Sequence, residues 1–190
     1  MTYTTIYSVP KEGELKMEAE LGTAHWSAPA VWTMVCEEWL DDKDYHFLQT
    51  DCSKLWALSD DERLPFWQRI VLATTYDNVI VKLENLPKVI WVMREFYVEF
   101  KKRYPEHGCH LPEQADVLQR IFDEGTAFGV CWTQTSVCAD SWEVCEKCEC
   151  CGQYLEDGEI RLFDLSKDDD YGAWLLFNIE GLKDFELEGK

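Results

Sequence analysis

Nine cysteines, four histidines and 37 carboxylates are the side chains of this chain that can ligate a metal, move a proton or attack a substrate. The densest group is Cys145-Glu-Lys-Cys148-Glu-Cys150-Cys151-Gly152, in which C-x-x-C occurs twice, as 145/148 and as 148/151. Zinc takes four thiolate or imidazole ligands in a tetrahedron, and one turn carrying C-x-x-C delivers two of them. The glycine after the second pair permits the tight turn that aims backbone N–H groups at the sulfurs. The ligand set this spacing predicts is Cys145, Cys148 and Cys151, with Cys138 as the fourth. Cys109, His107 and His110 are further candidates to complete it. The spacing matches no standard finger, however, and thiols crowded into one turn share a metal awkwardly. The competing reading is a reduced, thiol-rich surface loop at about 138–152 and no cofactor. A thioredoxin-type redox role is disfavoured, because that motif opens a helix after a strand and a polar Glu-Lys loop does not.

His107-Gly-Cys109-His110 invites a Cys/His nucleophile reading, but such a pair must be assembled in space rather than in sequence. Lying between Pro105 and Pro112, the segment reads as a turn joining two helices. Asp42-x-Asp44 and Asp168-x-Asp170 resemble the start of a calcium loop, which needs Gly at position 6 and Glu at position 12. Those places hold Phe47 and Ser53 in the first case, Ala173 and Ile179 in the second. There is no GxGxxG, P-loop, HExxH or GxSxG. The chain reads as a binding protein, not an enzyme.

Charge is the strongest global signal. Against the 37 acids stand 18 Lys and Arg, a net of −19 over 190 residues. A hydrophobic content of 46% with nine Trp excludes a disordered acidic tail. A folded body holding so much like charge tolerates self-repulsion, whereas solubility needs a net magnitude of only about 2–8. The surplus points to a basic partner and away from direct contact with nucleic acid or an anionic membrane. It concentrates in two stretches: residues 37–62 hold nine acids and two bases, and 156–190 hold eleven acids and four bases. The candidate partner-binding residues are Asp41, Asp42 and Asp44 with Asp60, Asp61 and Glu62, and Asp168, Asp169 and Asp170. The N-terminus has no secretory pattern and no stretch is apolar enough to span a bilayer, so a soluble, cytoplasmic protein with reduced thiols is expected.

These groups must be positioned by elements legible from residue pattern. β-Branched and aromatic residues 4–9 form a strand, Lys11-Glu-Gly13 a turn, and alternating residues 14–20 a second strand. A helix opens at Ser27-Ala-Pro29 with Trp32, Val35, Cys36, Trp39 and Leu40 as its apolar stripe. Ser59-Asp-Asp-Glu62 fits a capping box and predicts a helix from there to about Ala73. A strand at 79–83 precedes the longest helix, from Asn85-Leu-Pro87 to before Pro105, whose off-stripe Trp91 and Val98 predict packing on two sides. A helix from Pro112 to about Asp123 ends before Gly125. Strands follow at 127–132, 158–165 and 173–179. Trp32, Trp39 and Trp132 fall within apolar patterns and read as core, whereas Trp26, Trp142 and Trp174 are candidate interface anchors. The fold class is α+β, a single domain over residues 1–190 with a mainly antiparallel sheet and packed helices.

Leu111-Pro-Glu-Gln-Ala-Asp-Val-Leu118 followed by Gly129-Val-Cys-Trp-Thr-Gln-Thr-Ser136 resembles a pattern in small uncharacterised bacteriophage proteins. Tyr3-Thr-Thr-Ile-Tyr7 and Ala30-Val-Trp32 are similar in kind. The resemblance covers the middle third of the chain plus fragments, and it implies a phage or prophage origin without an activity to transfer. Joined to the charge, it implies an anti-defence or host-takeover inhibitor in the cytoplasm of an infected bacterium. Its acidic surfaces would engage a basic, nucleic-acid-handling host protein, as a DNA mimic. The alternative is a small zinc-stabilised accessory or regulatory protein that uses an apolar interface.

Overall fold

The computed structural model describes residues 3–22, 27–40, 52–77, 79–134, 142–145 and 160–168. It is an α+β domain built on one antiparallel four-stranded sheet. Strand β1 (Tyr3–Val9) pairs with β2 (Lys16–Gly22) on one side and with β4 (Gly129–Thr133) on the other. β3 (Ile80–Lys82) closes the far edge, giving the order β2-β1-β4-β3. The β-branched and aromatic runs expected as strands are these strands, because such side chains pack well on a pleated surface. The expected strand at 173–179 lies outside the described residues.

Alternation along the strands supplies both faces with apolar groups. Ile6, Val81, Val130 and Trp132 face the helices and join the main core. Tyr7, Val9, Ile80 and Cys131 face the other way, where Trp142 and Phe163 cover them. Those two residues flank a short ribbon, β5 (Glu143–Cys145) paired with β6 (Ile160–Leu162). The Trp142 indole donates to the carbonyl of Trp132 at 2.8 Å, and Phe163 N donates to Trp142 O at 2.8 Å. Trp142 is therefore core, not an exposed anchor. Of the other two expected anchors, Trp26 and Trp174 lie outside the described residues.

The second strand departs from simple alternation. Ile6 pairs with Ala19 but Tyr7 pairs with Met17, which leaves Glu18 as the extra residue of a β-bulge. Before the bulge, Leu15 and Met17 share the ribbon side with Tyr7; after it, Ala19 and Leu21 face the helices opposite Ile6 and Thr4. Met17 ends 54% exposed. The ladder starts at Lys16 rather than at residue 14, because Glu14 forms an isolated bridge to Asp164 and Leu15 N donates to Phe163 O.

Five helices pack on the main-core side: α1 (Ala28–Trp39), α2 (Cys52–Ala57), α3 (Phe66–Ala73), α4 (Leu86–Arg103) and α5 (Leu111–Glu124). The capping box expected at Ser59 is not one. Residues 58–60 form a 3₁₀ turn after α2, and Ser59 Oγ donates backwards to Trp56 O at 2.8 Å. The helix starts only after Pro65, whose ring disfavours α geometry in the residue before it. The apolar stripe that the helical period predicts in α4 is Leu86, Val89, Ile90, Met93, Phe96, Tyr97 and Phe100, and all are buried but Tyr97, which is half-buried. The helix does pack against two neighbours, α3 and α5, and half-buried Trp91 lies against the main core; Val98, by contrast, is 47% exposed. Helix α5 ends where Gly125 takes a left-handed φ of 67°, a conformation that glycine adopts without strain. Gly129 has a different reason: a Cβ there would sit 2.5 Å from Val81 O, so β3 and β4 approach closely only because it has none.

Candidate acidic interface

The chain has six arginines, and each is engaged within the described residues. Arg63 pairs with Asp61 at 2.5 Å, Arg94 with Asp116 at 3.0 Å and Arg161 with Asp168 at 2.6 Å. Arg103 sits 3.2 Å from Glu37 and 3.8 Å from Glu38, and Arg120 lies 3.6 Å from Glu18. Arg69 donates to Ser59 O at 2.8 Å and stands over the Phe66 ring. Guanidinium is the planar fork suited to phosphate. Here each guanidinium contacts a carboxylate or carbonyl of this chain instead.

The sequence-predicted acids are divided by these contacts. Asp60 and Glu62 are exposed at the 3₁₀ turn. Asp61 between them is held down to about 2 by hydrogen bonds from the Arg63 side chain and backbone. Asp168 is not a free surface charge. Both its oxygens accept from Arg161, at 2.6 and 2.8 Å, and its Oδ2 also accepts from Asp164 N at 2.6 Å. The Arg161 hydrogen bonds lower its carboxyl pKa below the usual range. Asp164, fully buried, closes the same turn: its Oδ1 accepts from Ser166 N and Oγ, and its Oδ2 lies 3.0 Å from Lys167 Nζ. Ser166, then Lys167, hold it at about 2. This turn is an ion-pair cluster in which Arg161 engages the Asp168 carboxylate and Lys167 that of Asp164. Asp41, Asp42, Asp44, Asp169 and Asp170 lie outside the described residues.

Further exposed carboxylates lie outside the two stretches that the charge count along the chain singles out. Glu12, Glu14 and Glu20 are exposed on the β1–β2 hairpin, and Asp123 and Glu124 are exposed at the end of α5. Arg120 joins α5 to the hairpin: its Nη2 donates to Glu18 O at 3.1 Å. Glu18 absorbs the nearby cations. Its side chain is 4% exposed, accepts from Ser8 Oγ at 2.7 Å and pairs with Lys16 at 2.9 Å. Burial pushes its carboxyl pKa up, yet hydrogen bonds from Lys16 and Ser8 and the charges of Lys16 and Arg120 bring it below the ordinary value. The Glu14/Lys16/Glu18/Glu20 alternation signalled the hairpin acids, of which Glu20, across from Thr5, lies on the ribbon side of the sheet.

Asp123 and Glu124 are also misplaced for helix stability. No basic residue stands in the last turn of α5, so two carboxylates meet the negative end of the helix dipole. Each such charge costs about 0.3–1 kcal/mol. Helix α4 follows the opposite rule, with Lys101, Lys102 and Arg103 in its last turn. Lys101 Nζ donates to the carbonyls of Pro105 and His107, so the loop between α4 and α5 is bolted to the α4 terminus.

That loop joins the two helices, as expected, and its Cys109 is a buried thiol. Burial pushes that thiol up to about 12. His110 precedes α5, with its carbonyl accepting from Gln114 N at 2.9 Å. Of the predicted zinc ligands, Cys138, Cys148 and Cys151 lie outside the described residues, and Cys145 is described only as the backbone end of β5. Its Cα partner is Ile160, so residues 146–159 begin and end at the same rung. Among the described residues no three His, Cys, Asp or Glu side chains converge as a metal site. No described helix is long and apolar enough to cross a membrane. The chain matches no family model, and comparison with curated proteins and with solved structures gave no match either.

Proposed function

We propose that this protein is a phage-type inhibitor, of host defence or in host takeover, that binds a basic nucleic-acid-handling protein and occupies its nucleic-acid channel. The observation that carries the reading is the engagement of all six arginines in internal contacts on a chain of net charge −19. Exposed lysines, Lys11, Lys54 and Lys82 among them, remain beside the exposed carboxylates, which outnumber them. Among the described residues Asp60 and Glu62 at the 3₁₀ turn, Glu12, Glu14 and Glu20 on the hairpin, and Asp123 and Glu124 at the end of α5 are exposed. Carboxylates kept at the wrong end of α5 against the dipole support a role for that charge other than stability. A surface of this kind enters a Lys/Arg-lined channel by displacing the counterions held there, and its association rate is steered by the opposite field. Asp168 drops out of the partner-binding set because Arg161 neutralises it.

The test is capture from a bacterial lysate followed by quantitative binding of the captured protein at two salt concentrations, with and without competing duplex DNA. Channel occupation predicts affinity that falls steeply with salt and binding that DNA displaces. Binding indifferent to both would refute it and favour an apolar interface. That second reading, a zinc-stabilised accessory protein, has one supporting observation: the Cys145–Ile160 rung closes the ends of the segment that carries the thiols.

A further inference from the structure

The β-bulge at Glu18 redistributes the side chains of β2 between the two faces of the sheet. In a regular strand, residues an odd number of positions apart point to opposite faces. With Glu18 as the extra residue, Met17, across from Tyr7, and Glu20, across from Thr5, come out on the same face, the ribbon side. Tyr3, two residues before Thr5, lies on that face as well, across from Gly22. Tyr3 and Glu20 are therefore diagonal neighbours on adjacent strands, a separation of about 7–8 Å that aromatic and long side chains bridge. Met17 flanks Glu20 from the other end, since its partner Tyr7 is two residues from Thr5.

All three side chains meet solvent. Tyr3 is 42% and Met17 54% exposed, and these are two of the four large apolar side chains exposed among the described residues, so this strand pair holds half of that exposure. Glu20 is exposed beside them. A Cβ at Gly22 would meet nothing within 4 Å, which leaves open space across from Tyr3. The cations of this region serve another carboxylate. Lys16, the only cation of β2, comes out on the helix side across from Ser8 and pairs with Glu18 at 2.9 Å, and Arg120 lies 3.6 Å from that same group.

An aromatic ring, a carboxylate and a thioether on one open face match the parts of an arginine side chain. Its guanidinium stacks on an aromatic face and meets a carboxylate through parallel N–H groups, while its methylene stem lies along apolar surface. The ammonium of lysine is a compact, strongly hydrated point charge and gains less from the ring. We propose that Tyr3, Met17 and Glu20 form an anchor site for an arginine side chain of the basic partner. This rests on the basic-partner reading above and deepens it, by naming the place on the chain and the side chain that is gripped there. The Asp164–Asp168 turn offers no such site, because Arg161 and Lys167 already engage its carboxylates.

The experiment uses the full-length protein with ¹³C-labelled methionine methyls, titrated with a hexa-arginine peptide and separately with a hexalysine peptide. Met17 is assigned by loss of its peak in Met17→Leu. The Met17 methyl should shift saturably with hexa-arginine, which should bind about two- to fivefold more tightly than hexalysine. Tyr3→Leu should abolish that preference and Tyr3→Phe should keep it. Glu20→Gln should weaken both peptides by about two- to fivefold, while Asp60→Asn leaves the Met17 response unchanged. The buried Met34 and Met93 methyls report that each variant is folded. A parent titration in which the Met17 methyl stays still, or in which the two peptides bind equally, overturns the proposal, and neither measurement needs a variant to fold. So does a preference for arginine that survives Tyr3→Leu. The wider reading fails separately, on indifference of the captured partner to salt and duplex DNA. A partner sensitive to both, yet bound equally by the parent, Tyr3→Leu and Glu20→Gln, overturns the arginine anchor alone.

Discussion

Glu18 is the residue whose change tests the architecture most sharply. It is the bulge residue of β2, it is almost fully buried, and its carboxylate joins Ser8 of β1, Lys16 of β2 and Arg120 of α5. Glu18→Gln keeps the shape and leaves an amide oxygen to accept from Ser8. It removes the charge that Lys16 meets at 2.9 Å and Arg120 at 3.6 Å. Those cations are 69% and 50% exposed, so water screens them and the large penalty of breaking a fully buried pair does not apply. Two such contacts at about 0.2–1 kcal/mol each, plus one charge-assisted bond weakened to a neutral one, give a loss of about 1–2 kcal/mol. Urea unfolding followed by tryptophan fluorescence should show a lower midpoint at an unchanged slope. The pH dependence fixes the cause. The carboxyl pKa is lowered in the fold, so its contribution is present above the unfolded value, 4.5, and is lost as pH falls through the folded one. The gap between parent and Glu18→Gln should therefore be full at neutral pH and close in acid. Equal stability at neutral pH, or a gap indifferent to acid, would show that the bulge is held by backbone pairing and not by the carboxylate.

Three further outcomes are expected. Asp123→Asn with Glu124→Gln relieves the dipole at the end of α5 and should raise stability by about 0.5–2 kcal/mol, while slowing association with a basic partner and flattening its salt dependence. Cys109, with its thiol at about 12 against an ordinary 9.0, should alkylate at mildly alkaline pH about a thousandfold more slowly than an exposed cysteine, as read by peptide mass spectrometry, and at the ordinary rate once unfolded. If the cysteine-rich segment holds zinc, protein purified without added metal should contain it in stoichiometric amount, and Cys145→Ser should lower stability markedly because metal binding becomes folding energy. A trace of metal and an unchanged midpoint point to a thiol-rich loop.

Residue pattern alone was enough for the strands at the sheet centre, for α1, α4 and α5, and hence for the α+β class. A strand or helix of that kind is defined by its own periodicity and by local stops such as Pro29, Pro87 and Gly125, which need no partner to act. It was also enough for the sign and size of the charge, since charge is a sum over the chain. The turn at 107–110 was legible for the same local reason. Where local signals conflicted, tertiary structure decided: Ser59-Asp-Asp-Glu62 has the composition of a helix start, but Pro65 three residues on moves that start to Phe66. The fate of individual charges was not legible at all. Asp168 looks like a solvated acid until the turn brings Arg161 to it, and Glu18 looks like the outer face of a strand until a bulge turns it beneath Arg120. Periodicity is a property of neighbours in sequence, whereas a charge's partner is set by distances across the fold, and those exist only after the sheet and helices have packed.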